Sequence, residues 1–310
     1  MPRCKSCGKT ADGYVLRHAK MHLCKECFIK YYERKVLNTI LKHGMLKGAR
    51  FIAVAVSGGK DSSALLRVLR KIAPELKMVA IHLNLGIAGY SDECQKTVEE
   101  LCSQLDVNYV VYDLRREEGF SIPDFQDTPY GRRICGVCGT VKRYLLNKIA
   151  YRLGADRIAT GHNLDDVVEI LFELYLRGAV EELVRIRPVS WSTHPKMVHR
   201  IKPLIEMTEE ENLYYSSATE TPFTESKCPL GKGSRMMKRK ELIALLEKNI
   251  QGFKHMLYKS HVKRILPKLE QSIEEPTLKE CKLCGMPALK EICSYCKISS
   301  KVRKADVNQP

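Results

Sequence analysis

Apolar residues recur along this chain in two rhythms. Phe51–Val56 is an unbroken apolar run with the length of a buried strand, and Ser62–Ile72 after it has helical spacing. Met78–Leu83, Tyr109–Tyr112 and Arg157–Thr160 are further short strand candidates. Helical stretches near Asp92–Leu105, Thr140–Leu153 and Asp166–Leu176 alternate with them. That alternation predicts an α/β fold, a doubly wound parallel sheet with helices on both faces. Ahead of it, Val36, Leu37, Ile40 and Leu41 predict a helical connector over Tyr31–Lys47. Behind it, Leu242, Leu245, Leu246 and Ile250 predict another helix.

Charge changes the picture in one place. The 310 residues carry 52 Lys+Arg against 36 Asp+Glu, a net +16. Between Ser226 and Leu269 twelve Lys/Arg face two Glu, so this stretch alone carries +10. A basic block suits a phosphate-rich partner, and Lys232, Arg235, Lys238, Arg239 and Lys240 are the expected lining of its groove. A hydrophobic content of 44% is that of a globular chain. No apolar run approaches the roughly 18 residues of a membrane span. The start Met1-Pro2-Arg3-Cys4 has no apolar signal region, so a cytoplasmic protein without a membrane partner is expected.

Ten of the thirteen cysteines form five C-x-x-C pairs. Cys4/Cys7 with Cys24/Cys27, and Cys281/Cys284 with Cys293/Cys296, have the ligand number and spacing of closed tetrahedral zinc sites. His18 and His22 offer a Cys₂His₂ alternative in the first module, but four thiolates in two knuckles suit zinc better. The fifth pair, Cys135/Cys138, could be a redox dithiol or half a metal site, and Cys228 a free thiol. Cys94 and Cys102, eight residues apart in a helical stretch, read as small buried hydrophobes. The chain thus divides into a zinc module (1–30), a connector (31–49), a catalytic domain (50–225), a basic helical region (226–276) and a second zinc module (277–310).

The first strand runs straight into Ser57-Gly58-Gly59-Lys60-Asp61-Ser62. Two glycines allow a tight turn and close backbone approach. The helix that follows aims its free N–H groups and positive dipole end at the same point, a ready anion site. Lys60 adds charge and the serines add hydroxyl donors. The Walker A spacing is absent.

These six residues resemble the PP-loop of the ATP-pyrophosphatase family. With Cys135/Cys138, Lys142, Gly161–Asp166, Cys228 and the two terminal modules, the chain is similar to that family's tRNA thiolation branch, the TtuA-type 2-thiouridine synthetases. The resemblance implies ATP held by Val56, Ser57, Gly58, Gly59, Lys60, Asp61, Ser62, His82 and Gly161. It implies catalytic roles for Lys142, Asp166 and Asp61 with Mg²⁺, and a [4Fe–4S] cluster on Cys135, Cys138 and Cys228. Three thiolates leave one of four irons open to a sulfur nucleophile. The implied reaction is adenylation of uridine O2 by ATP, then sulfur transfer to C2 with loss of AMP. Its implied partners are tRNA, a ubiquitin-like thiocarboxylate sulfur donor and a second copy of the chain.

Uridine 54 of the T loop is the expected target. The same chemistry at wobble uridine 34 is one alternative, and a zinc-dependent RNA-binding scaffold without chemistry is another. A persulfide mechanism on the same three cysteines, without a cluster, is the mechanistic rival.

Overall fold

The apolar runs pair into one six-stranded sheet in the computed structural model, which describes residues 2–192, 194–231, 235–273 and 276–303. A hairpin of β1 (Gly13–Leu16) and β2 (Met21–Cys24) leads into α1 (Lys25–Lys42). The α/β core follows as β3 (Phe51–Ala55), α2 (Lys60–Ile72), β4 (Lys77–Asn84), α3 (Tyr90–Leu105) and β5 (Asn108–Asp113). After α4 (Leu114–Glu118) come α5 (Ile134–Arg152), β6 (Arg157–Thr160), α6 (Leu164–Arg177) and α7 (Val180–Leu183). Two short strands, β7 (Val189–Ser190) and β8 (His199–Ile201), precede α8 (Glu209–Ala218). The chain ends with α9 (Arg235–Asn249), α10 (Phe253–Ser260), α11 (Leu266–Ser272), the strand pair β9 (Lys279–Glu280) and β10 (Pro287–Ala288), and α12 (Ser294–Arg303).

The strand order is β5-β4-β3-β6-β8-β7, parallel except for β7. Chain progression reverses between β3 and β6, which is where doubly wound sheets bind ligands, at the carboxyl ends of the strands. Successive side chains of a strand face opposite sides. Ile52 and Val54 accordingly join one core with α2, α3 and α6, whereas Ala53 joins a second core under α5. Each cysteine module sits on a different core. Cys4, Leu16, Cys24 and Phe28 belong to the first; Cys281, Cys293 and Cys296 belong to the second, where Tyr295 stacks on Tyr144 at 3.8 Å.

Several boundaries differ from those expected. Helix α1 starts at Lys25, directly after Cys24, so the first module and the connector share one helix. Helix α5 starts at Ile134 rather than near Thr140, which puts Cys135 and Cys138 in its first turns. The expected helix over 242–250 exists, but Leu242, Leu245 and Ile250 are exposed and only Ile243 is buried. Its inner side is turned toward α6 by ion pairs from Arg239 and Lys240 to Glu169 and Asp166. Those two cations are therefore neutralised within the fold rather than left to line a groove, and Lys232 lies outside the described residues. Helix α8 starts at a capping box formed by Thr208-x-x-Glu211.

Candidate active site

Strand β3 delivers the chain to the loop Val56–Gly59, and α2 begins at Lys60. Gly58 has φ +85°, and a Cβ there would stand 2.8 Å from the Cys94 carbonyl oxygen, so the close turn requires glycine. The Ser57 amide donates to Ser62 Oγ at 3.0 Å, and Ser62 Oγ donates to the Gly59 carbonyl at 3.0 Å. These bonds hold the loop in a fixed curve. No side chain caps Gly59 at the start of α2, so the N–H groups of its first turn face the loop's concave side.

Lys60 Nζ contacts Glu209 at 2.6 Å and Asp61 at 3.3 Å. Burial works against its charge, but these two carboxylates raise its pKa. Asp61 is the hub of the site. Its Oδ1 accepts from Asn163 Nδ2 at 2.9 Å and from Asn212 Nδ2 at 2.8 Å. Burial raises the Asp61 pKa; Lys60 and the two amides pull it down, and Asp166 pushes it up again. Asn163 also caps α6 in a box with Asp166, whose Oδ1 accepts from Lys240 Nζ at 2.7 Å. Gly161 is what lets β6 approach the loop: a Cβ there would lie 3.0 Å from the Ser62 nitrogen. Tyr32 on α1 donates to Asn212 Oδ1 at 2.7 Å, tying the first cysteine module's helix to Asp61.

His82, at the end of β4, is almost fully buried. Its Nδ1 donates to the Val56 carbonyl at 2.9 Å, and burial lowers its pKa. It thus supports the loop from below as a neutral ring.

The three remaining cysteines come together beside the loop. Thr224 pairs with the loop's backbone, its amide donating to the Gly58 carbonyl at 2.8 Å, and Thr224 and Ser226 also hold Glu93 of α3. That strap delivers Cys228 to the start of α5, where Cys135 Sγ donates to the Leu230 carbonyl at 3.9 Å. Burial raises the Cys138 pKa; Lys142 pulls it down, and Cys228 and Cys135 push it up, so all four groups share one field. Lys142 lies one helical turn beyond Cys138; burial lowers His82 and His162 and the Lys142 charge adds to it, while burial raises Cys94 against the pull of Lys142. Cys94 and Cys102 are buried, as expected. Cys94 nevertheless lines the loop, its backbone against Gly58, a neighbour that spacing alone did not reveal.

Both terminal modules suit zinc. In each, four cysteine sulfurs lie within 4.8 Å of one another. Backbone amides of Cys24 and Cys7 bring the Cys4 thiol down to about 6. Burial opposes the same shift at Cys281, where the amides of Cys293, Leu283 and Cys284 still bring it to about 6. Thiolate is the ligand form. His18 instead stacks on His255 at 4.5 Å and faces Glu211 at 3.7 Å, away from a ligand role.

A phosphate-cradling turn at the reversal point of a parallel sheet defines an α/β nucleotide-binding protein. A family model described as a PP-loop domain matches residues 30–243. The chain belongs to the PP-loop family and, within it, to the tRNA sulfurtransferases. It is 35% identical to the tRNA-5-methyluridine(54) 2-sulfurtransferase of Pyrococcus horikoshii, over 95% of this chain and 93% of that one. The enzyme of the same name from Thermotoga maritima is 34% identical over 99% of both chains. Among solved structures, the U34-tRNA thiolase NcsA from Methanococcus maripaludis, with its [4Fe-4S] cluster, superposes with a TM-score of 0.81 at 30% identity over 96% of each chain. No helix among the described residues is long and apolar enough to cross a membrane.

Proposed function

We propose that this chain is an ATP-dependent tRNA uridine 2-sulfurtransferase acting on uridine 54. The observation that carries the reading is the meeting of Cys135, Cys138, Cys228 and Lys142 beside a glycine loop shaped for phosphate. The loop amides, the α2 N-terminus and Lys60 hold the β- and γ-phosphates of ATP. Uridine O2 attacks the α-phosphorus, and pyrophosphate departs into that cradle. Lys142, one turn after Cys138 on α5, stabilises charge on the reacting oxygens. A sulfur nucleophile then adds to C2, and AMP leaves with the former O2.

The residues fit the groups this chemistry requires. Asp61 and Asp166 flank Asn163 and repel each other, a pair that Mg²⁺ would relieve. Cys135, Cys138 and Cys228 would hold a [4Fe–4S] cluster whose fourth iron, free of protein ligands, supplies a place for sulfide. The terminal modules would each hold one structural Zn²⁺. A ubiquitin-like thiocarboxylate protein as sulfur donor and a homodimeric assembly complete the reading.

The test is single turnover with ATP, sulfide and an unmodified tRNA transcript. Wild-type protein is expected to release pyrophosphate only when tRNA is present, and Lys60→Ala and Asp61→Ala are expected to release none while remaining folded. Wild-type turnover by either variant at saturating ATP would overturn the loop's role. The similarity to a U34 thiolase keeps wobble uridine 34 as the second reading, separated by where the sulfur is found.

A further inference from the structure

We propose that Arg143, Arg200 and Lys202 form a site for a backbone phosphate of the RNA substrate, on the α5 side of the sheet beside Cys138. The inference rests on the tRNA reading above and adds to it the place where the strand is gripped.

Strand register puts the three cations together. Ile201 lies in the first core, so Arg200 before it and Lys202 after it face the opposite side of β8. That is the side covered by α5, since Ile158, the residue paired with Arg200, belongs to the α5 core. Arg143 comes from α5 itself, five residues beyond Cys138. His162, directly after Gly161, and Arg143 keep an edge in solvent, while Arg200 and Lys202 are half-buried and largely desolvated, so the site has an open rim over a dry floor.

None of the three has a carboxylate partner among the described residues. The Arg200 Nε has no hydrogen-bond partner there. Arg143 hydrogen-bonds the Thr140 hydroxyl at 3.4 Å and its charge is felt by Cys138, and Lys202 Nζ donates to the Arg187 carbonyl at 2.6 Å. The contrast with α9 and α10 is direct, because Arg239, Lys240 and Lys254 are each matched by an acid on α6. Those three cations of the basic block are thus neutralised inside the fold, while the cations of β8 and α5 are not.

The gathered charges repel one another. Burial, with Arg200 and Arg187, lowers Lys202 to about 8. Burial and Arg143 lower Arg200. Burial, then Lys202, Arg200, Arg143 and Lys142, hold His162 near about 4, a neutral ring. Gathered cations without acids are stabilised by an anion. The triphosphate already has the loop, α2 and Lys60. A polynucleotide that presents one base to the site must lay its flanking phosphates along the rim, and Arg and Lys are the residues that take them.

The experiment measures binding of an unmodified tRNA transcript across a salt series, with Arg200→Gln and Lys202→Gln in the full-length protein. Each variant is expected to weaken tRNA binding roughly fivefold to tenfold near 0.1 M salt, and to flatten the log–log salt slope by about one. Arg200→Lys should restore most of the affinity. ATP affinity and metal content should stay at wild-type values, which also shows that the variants fold. Unchanged tRNA affinity and slope would overturn the site. Weakened ATP affinity with unchanged tRNA affinity would overturn it too, by assigning the cations to the nucleotide. If the wild type binds tRNA yet releases no pyrophosphate with it, only the functional reading fails, and the same variants still decide the phosphate site.

Discussion

Asp61 gathers contacts from two distant parts of the chain, whose amides hold its carboxylate. The motif Ser57–Ser62 made Asp61 and Lys60 legible in the sequence, because the chemistry is local and contiguous. Asn212 was not legible: 151 residues separate it from Asp61, and its neighbours Glu210 and Leu213 carry no site pattern. Asn212→Ala removes a donor that lowers the Asp61 pKa, so that pKa should rise further. The carboxylate must be ionised to hold a cation. The acid limb of pyrophosphate release is therefore expected to move up by on the order of one pH unit. An unchanged pH profile would show that the amide is only packing. Glu206 makes the opposite case: His43, whose Nε2 stands 3.6 Å away, lowers it, burial opposes, and Lys42 helps bring it to about 2. A depressed carboxylate contributes stability that is present above its ordinary value of 4.5 and is lost as pH falls toward about 2. Glu206→Gln should cost about 1–3 kcal/mol at pH 7 and almost nothing at pH 2, read from denaturant midpoints. Equal losses at both pH values would contradict this.

Among the elements, the long apolar strands and the helices of the central domain were readable from periodicity, whereas β7, β8 and α9 show where that signal stops. β8 is three residues long, His199–Ile201, with a single apolar side chain after His199 and Arg200, so it carries no apolar run. In α9 the spacing gave a helix but not its orientation, because Arg239 and Lys240 turn its charged side inward to reach Glu169 and Asp166. Helix α1 grows directly out of Cys24 and packs Phe28, Tyr32 and Val36 into the core. A metal on the first module therefore anchors the helix that reaches Asn212. Anaerobically purified protein is expected to contain two zinc ions per chain. Cys24→Ser should lose one and speed amide exchange in the first turns of α1, leaving the Cys281–Cys296 module intact. Zinc-free protein with unaltered exchange in α1 would contradict the anchoring.

The whole molecule arranges one phosphate loop, three cysteines and a set of unmatched cations around a single reversal point in the sheet. The cysteines were legible as a group through family resemblance, but their meeting depends on the Thr224–Ser226 strap, which no spacing rule reveals. Replacing Cys135, Cys138 or Cys228 by Ala is expected to abolish bound iron and thiolation together while the zinc content stays unchanged. Activity in rigorously iron-free protein would favour the persulfide rival. The most direct measurement is mass spectrometry of a tRNA transcript after anaerobic reaction with the iron-reconstituted protein, ATP and sulfide. The account predicts the oxygen-to-sulfur mass increase on the fragment containing uridine 54, dependent on ATP. A transcript that gains no sulfur, or gains it only at uridine 34, would contradict it.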